Sequence, residues 1–207
     1  MKPLRPKFLL LLLAIFLLAY AAIHRQRQEN DRQIQSHALS AVPFGDVPAQ
    51  TEATRAAFDF KGFRIQPLAG FVIRARVLSR ENYRFGTEAE LSPIDLALGW
   101  RRMADPEVYG ALNISQGGRW YRYSWSDAPP IPLQEIIESS ANMHLIPASD
   151  SVARVLDQTA ANRYIRLKGW LVEVQRADGW RWRSSLSRSD SGGGSCELIF
   201  VEAAEVE

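Results

Sequence analysis

The stretch "RYIRLKGWLVEVQRADGWRWR", Arg163 to Arg183, decides the fold. Ile165 and Leu167 alternate with Arg166 and Lys168, the period-two pattern of a half-buried strand. After Gly169 the phase changes, and Trp170, Val172 and Val174 alternate with Glu173 and Gln175. A phase change at a glycine marks a β-bulge, which coils a strand as the long first strand of a small closed barrel requires. "ADG" (177–179) then predicts a tight turn, and "WRWR" returns beside the first strand. Residues two apart share a face. Trp180 therefore goes with Trp182 and Arg181 with Arg183. The apolar set Trp170, Val172 and Val174 needs cover, so at least one of the two tryptophans is expected in the core, with the arginines in water. A Ser/Gly loop follows, and "CELIFVE" (196–202) closes the set. Three consecutive strands predict an antiparallel meander, part of a small antiparallel sheet or OB-like barrel.

Upstream, "FVIRARVLSR" (71–80) is a strand with Phe71, Ile73, Ala75 and Val77 on one face, and "FKGFRI" (60–65) is its expected hairpin partner. "SPIDLALGW" (92–100) opens with Ser92 as N-cap and Pro93 at the first helical position, which predicts a short helix. "DPEVYGAL" repeats the device with Asp105, Pro106 and Glu107. "RWYRYSW" (119–125) is a strand, "LQEII" (133–137) a helical turn, and "SDSVARVLDQTAAN" (149–162) an amphipathic helix started by Ser149 or Asp150 and ended near Asn162. The fold class is α+β.

The N-terminus is of another kind. Phe8 to Ile23, "FLLLLLAIFLLAYAAI", is an uncharged run of sixteen residues, preceded by Lys2, Arg5 and Lys7. About 20 apolar residues cross a bilayer, and Leu4 and His24 extend the run. It is read as a signal-anchor helix over residues 8–24. The competing reading is a cleaved signal peptide with "AYA" (19–21) at its end. The basic head predicts an N-terminus inside and a domain outside the cytoplasm. Residues 25–58 are polar, include Pro43 and Pro48, and are read as a linker to a soluble domain over 59–207.

The 207 residues carry a formal net charge of +2. Residues 59–207 hold eighteen Lys/Arg against nineteen Asp/Glu, so the domain carries no charge excess of the kind that marks nucleic-acid binding. Cys196 is the single cysteine, which excludes an internal disulfide, and with His144 it makes too few ligands for a structural zinc site. "GGG" (192–194) lacks the strand-to-helix context of a phosphate loop and reads as a flexible turn. No cofactor and no metal are expected. "NIS" (113–115) matches a glycosylation pattern by chance.

"LSPIDLALGWRRMADPEVYGALNISQGGRWYRY" (91–123), "SSANMHLIP" (139–147) and "GWLVEVQRADGWRWRSSLSRSDSGGGSCELIFVE" (169–202) together resemble a family of uncharacterised, single-span membrane-anchored bacterial proteins. The resemblance covers roughly residues 59–204. It implies a bacterial, membrane-tethered protein and carries over no catalytic residue.

Three constellations bear chemistry. Cys196 with His144 and Asn142 has the residue types of a thiol nucleophile, its base and an orienting group, against the plainer reading of a small buried hydrophobe. Ser139 or Ser140 with His144 and Asp150 is a serine version, without the GxSxG frame and against the plainer reading of a polar loop. Arg119, Trp120, Arg122, Tyr123, Trp180, Arg181, Trp182 and Arg183 are an aromatic-arginine set, in which Arg119, Trp120, Arg122, Arg181 and Arg183 are the ligand-binding candidates. The expected function is a membrane-tethered, non-enzymatic binding or assembly module at the bacterial cell envelope. Its expected partners are the lipid bilayer and another envelope protein or a glycan, with nucleic acid disfavoured. The alternatives are a small Cys/Ser-His hydrolase and an OB-like nucleic-acid-binding domain.

Overall fold

The computed structural model describes residues 6–190 and 192–207, with side chains from residue 12 onward. The chain is α+β with a mixed sheet. A 35-residue helix, α1 (Pro6–Ser40), leads to strands β1 (Ala49–Glu52), β2 (Phe58–Phe60) and the 20-residue β3 (Phe63–Asn82). Helix α2 (Thr87–Leu91), strand β4 (Ile94–Gly99), a 3-10 turn over Arg101–Ala104 and helix α3 (Pro106–Tyr109) follow. Next come the hairpin β5 (Asn113–Gly117) and β6 (Trp120–Ser124), helix α4 (Leu133–Ser139), strand β7 (Ser140–Pro147) and helix α5 (Asp150–Asp157). Strands β8 (Tyr164–Gln175), β9 (Arg181–Arg183) and β10 (Glu197–Val206) complete the chain.

Pairing runs from β3 to β4, β7, β10 and β8, and β8 pairs again with β3. The expected sheet was antiparallel. The observed one is mixed, because β7 and β10 are parallel. Parallel neighbours need a long crossover, and α5, β8 and β9 supply it. The expected meander is also altered. β3 takes one edge of β8 along Tyr164–Gln175, while β10 and then the three-residue β9 share the other, so β9 and β10 do not pair.

This arrangement gives the sheet two apolar faces. Ile73, Leu96, Leu98, Met143, Leu145, Leu167, Leu171 and Ile199 pack inside the ring of pairings, closed at one end by Val152 and Leu156 of α5. Phe63, Ile65, Ile146, Val172, Val174, Leu198 and Phe200 form a second core outside it, against which Trp170, Trp180 and Trp182 pack half-buried. The second core corrects the bulge expected at Gly169. Leu167 and Leu171, on either side of Gly169, share the inner cluster, so β8 keeps its phase. What changes is which of its faces is covered. The register shifts lie on its partners, between Pro67 and Ala69 of β3 and between Val201 and Ala203 of β10. Gly169 is required for another reason: a Cβ there would lie 2.0 Å from the Phe200 carbonyl oxygen.

"SPIDLALGW" is not a helix. Ser92-Pro93 resembles a helix start, but all six residues of β4 are buried, and burial on both faces favours a strand over an amphipathic turn. "SSANMHLIP", weighed as a polar loop around its serines and histidine, is the buried strand β7. "FKGFRI" splits: Phe63–Ile65 belong to β3, and its partner is β2, across the left-handed pair Lys61 and Gly62. The helix expected over 149–162 stops at Asp157, with Ser149 as its cap. α3 forms as expected, with the Asp105 carboxylate accepting from Glu107 N. Of the tryptophan pair, neither ring is fully buried, and Arg181 and Arg183 are exposed.

Residues 25–58, read as a linker, are largely structured. α1 runs on to Ser40, Leu39 is fully buried, Gln35 Nε2 donates to Ser151 Oγ at 3.2 Å, and Asp31 pairs with Arg154. β1 then pairs with β3. Polar side chains can dock a helix through hydrogen bonds around one buried leucine, which polarity alone does not reveal. Among the described residues no helix is long and apolar enough to cross a membrane. The span expected over residues 8–24 begins with side chains, 8–11, that lie outside those described.

Candidate functional site

Three adjacent strands carry the site. Asp95 of β4 is the register partner of His144 on β7, and His144 is the register partner of Leu198 on β10, two residues after Cys196. Side chains alternate along a strand. Ile94, Leu96, Met143, Leu145 and Ile199 point into the ring, so Asp95, Asn142 and His144 project from its outer surface. Cys196, immediately before β10, joins them there with its sulfur 3.8 Å from Asn142 Nδ2.

Asp95 is fully buried and is the hub. Its Oδ2 lies 2.9 Å from His144 Nδ1, a charge contact rather than a well-aligned hydrogen bond. Oδ1 accepts from Arg119 Nη1 at 2.6 Å. Asn142 Nδ2 lies 3.3 Å from Asp95 Oδ2, 3.2 Å from the Arg119 carbonyl oxygen and 3.8 Å from Cys196 Sγ. Gln116 Nε2 donates to Asn142 Oδ1 at 2.7 Å, which fixes the amide orientation. Cys196 is half-buried, its thiol donating toward the Arg119 carbonyl at 3.9 Å and lying 3.8 Å from Asn142 Nδ2. With Nδ1 against Asp95, Nε2 carries the imidazole's other N–H.

The electrostatics follow from this packing. Burial opposes a charge on His144, but Asp95 and Cys196 outweigh it and raise its pKa from 6.5 to about 9. His144 is therefore an imidazolium at neutral pH. Asp95 balances two cations at once, Arg119 and His144.

Arg119 occupies a left-handed position, φ 68°, beside Gly118 in the β5–β6 turn. A non-glycine residue there is uncommon and needs its surroundings to hold it. Its backbone N–H donates to Tyr83 Oη at 2.9 Å, Nη2 donates to Ser92 O at 2.9 Å, and its Cζ stacks 3.8 Å from the Tyr83 ring centre. Trp182 covers the imidazole, with ring centres 4.8 Å apart, and packs on Trp180.

Cys196 lines two clefts. One, of about 230 Å³, is bounded by Arg119, Trp120, His144, Trp182, Arg183, Gly192 and Gly194. The other, of about 180 Å³, is bounded by Trp120, Tyr121, Tyr123, Ile137, Asn142 and Asp190 among others. The "GGG" segment thus borders the thiol. Among the described residues no group of three or more His, Cys, Asp or Glu side chains is placed to hold a metal ion.

Of the sequence candidates, Cys196, His144 and Asn142 come together. The serine version does not: Ser140 is four strand residues from His144, about 13 Å, and its Oγ donates to Ile136 O. Asp150 opens α5 beyond the end of β7. The aromatic-arginine set is divided. Arg119 is an internal clamp rather than a free cation. Arg183 borders the thiol cleft and pairs with Glu173 at 2.7 Å, while Arg181 is exposed away from it. Trp120 is 44% exposed, with Arg122 Cζ 6.0 Å from its ring centre. Asp95 and Tyr83 escaped the sequence reading. The available signal for Asp95 was one carboxylate inside an otherwise apolar run. Compared with protein-family models, curated proteins and solved structures, the chain matches none.

Proposed function

We propose that this chain is a small thiol-dependent acyl hydrolase, with Cys196 as nucleophile, His144 as proton carrier and Asp95 as the group that orients and charges the imidazole. The observation that carries the reading is the cluster of His144 on β7, its register partner Asp95 on β4 and Cys196 immediately before β10. A nucleophile, a base and an orienting carboxylate in that order are the working parts of nucleophilic acyl transfer. The thiolate is the attacking species, and the His144 imidazolium is its counter-charge. Sulfur adds to a carbonyl carbon, and the bond from that carbon to the leaving oxygen, nitrogen or sulfur breaks. The leaving group takes the His144 proton and a thioester remains on Cys196. Neutral His144 then accepts a proton from water as the hydroxide adds, the C–S bond breaks, and acid and thiolate are released with His144 protonated again. Asn142 Nδ2, already beside the sulfur, is a donor for the developing oxyanion.

The fold supports a ligand site at this place. Taken in chain order, β3, β4, β7, β8 and β10 pair as first-second-third-fifth-fourth-first, with α5 between third and fourth. We read this as an OB-like barrel. OB folds bind on the face of their second and third strands, between the first-second and fourth-fifth loops. Here that face carries Asp95, Asn142 and His144, the first of those loops carries Tyr83, and the second carries Trp182 and Gly192. A nucleic-acid role has less support, since the Tyr83 ring is stacked by Arg119 and Trp182 by His144. The non-enzymatic binding or assembly reading keeps one specific support: Trp120 and Phe85 are exposed, Phe85 at 93%.

The site would work on a membrane tether. Leu12, Leu13, Ile15, Phe16, Leu17 and Leu18 are all exposed on α1, and so lie on every side of the helix. With the basic head, this supports an anchor in the cytoplasmic membrane, N-terminus inside and the domain outside the cytoplasm. The same helix reaches the domain at Gln35 and Leu39.

The test is to incubate the full chain in detergent with p-nitrophenyl acetate and follow the protein by mass spectrometry. An acetyl adduct on Cys196, absent from Cys196→Ser and strongly reduced in His144→Gln, is expected. Hydrolysis without that adduct, or an adduct indifferent to His144, would overturn the reading.

A further inference from the structure

We propose that the substrate of the thiol site carries an anionic group, a carboxylate or its equivalent, held in the cleft of Arg119, His144, Trp182 and Arg183. The remainder of the substrate lies across Cys196 in the cleft of Tyr121 and Tyr123. The proposal rests on the thiol-nucleophile reading and adds the substrate class.

Two observations carry it. Cys196 is at the junction of two clefts of unlike lining. The one holding His144 is bounded by three basic side chains and no carboxylate, with the Trp182 ring as an apolar wall. The other is lined by Trp120, Tyr121, Tyr123 and Ile137, with Asp190 at its edge engaged by Ser185 Oγ at 2.6 Å. A substrate whose reacting carbon lies over Sγ has a cleft on either side of it.

The charges around the basic cleft do not cancel. Arg183 is matched by Glu173, at 2.7 Å. Arg119 and the His144 imidazolium share one buried carboxylate, Asp95, at 2.6 and 2.9 Å. Glu88 approaches Arg119 only at 3.7 Å and is half in water, where screening weakens it. One positive charge is left over beside the sulfur. The thiol, donating toward the Arg119 carbonyl oxygen at 3.9 Å, brings no charge of its own, and an anion on the entering substrate matches the excess. The clefts, about 230 and 180 Å³, are each of a size to hold one small group of the substrate.

Two reagents that differ in one charge read this directly. Iodoacetate and iodoacetamide alkylate the same sulfur, one as an anion and one neutral. The ratio of their rates at Cys196 of the full chain is compared with the ratio at N-acetylcysteine. The proposal predicts a ratio raised about tenfold over the free thiol, falling with added salt and falling in Arg183→Gln. Arg181→Gln, outside the cleft, keeps the raised ratio. A ratio equal to that of the free thiol overturns the anion site while leaving the nucleophile standing. If neither reagent labels native Cys196, the nucleophile reading is overturned, and malonate against malonamide decides the cleft. A melting temperature raised by malonate only, and not in Arg183→Gln, supports the anion site; equal shifts reject it.

Discussion

The charge on His144 makes stability depend on pH in a defined window. The residue is 4% exposed, and its pKa rises from 6.5 to about 9 on folding. The folded chain therefore holds this proton more tightly than the unfolded one, by on the order of 3 kcal/mol for that change. A group with a raised folded pKa contributes fully below its unfolded value. The contribution is present at pH 6, declines from about 6.5 upward, and is gone above about 9. Denaturant unfolding of the full chain in detergent, followed by tryptophan fluorescence between pH 6 and 9.5, measures it. The midpoint should fall across the window at constant slope. His144→Gln should start less stable and show a much flatter pH profile. Cys196→Ser, in the same series, removes the sulfur's part in raising the His144 pKa. A wild-type midpoint independent of pH between 6.5 and 9, or an equally steep decline in His144→Gln, would refute the buried ion contact with Asp95.

Other outcomes follow from the packing. Asp95→Ala leaves Arg119 and the His144 imidazolium buried without their carboxylate and should cost about 3–5 kcal/mol in denaturant unfolding; a loss below about 1 kcal/mol would place these cations in water. Gly169→Ala forces a methyl group against backbone at Phe200 O, 2.0 Å away, and should cost about 3 kcal/mol or more; a neutral effect would mean that β8 and β10 do not approach as described. Trp182→Ala should cost about 2–4 kcal/mol by uncovering the second core and the imidazole, while exposed Arg181→Ala should stay within about 0.5 kcal/mol.

Most elements were legible where one rule acted alone. Asp105-Pro106 starts a helix because nothing competes with its cap, and "FVIRARV" alternates because over Phe71–Val77 only its inner face is buried. Reading failed where both faces are covered. In "IDLALG" burial on both sides erases the period-two signal, so Ser92-Pro93 was free to suggest a helix. In "LKGWLVEV" the second core made an unbroken strand look bulged. Of the site, Cys196, His144 and Asn142 were nameable as residue types, but their meeting depends on the parallel pairing of β7 with β10, which no local pattern encodes. Asp95 was hidden by the misread strand. The dual role of "WRWR" was half legible: Trp180 and Trp182 do share a face, but what that face covers, His144 and the second core, comes from the rest of the fold.

The most direct test of the thiol site is the rate of Cys196 alkylation by iodoacetamide at pH 7, native against denatured. A nucleophile facing an imidazolium should react at least about tenfold faster in the folded chain than in denaturant, and His144→Gln should remove the advantage. A native thiol that reacts more slowly than the denatured one would show Cys196 to be an inert packed side chain and would contradict the account.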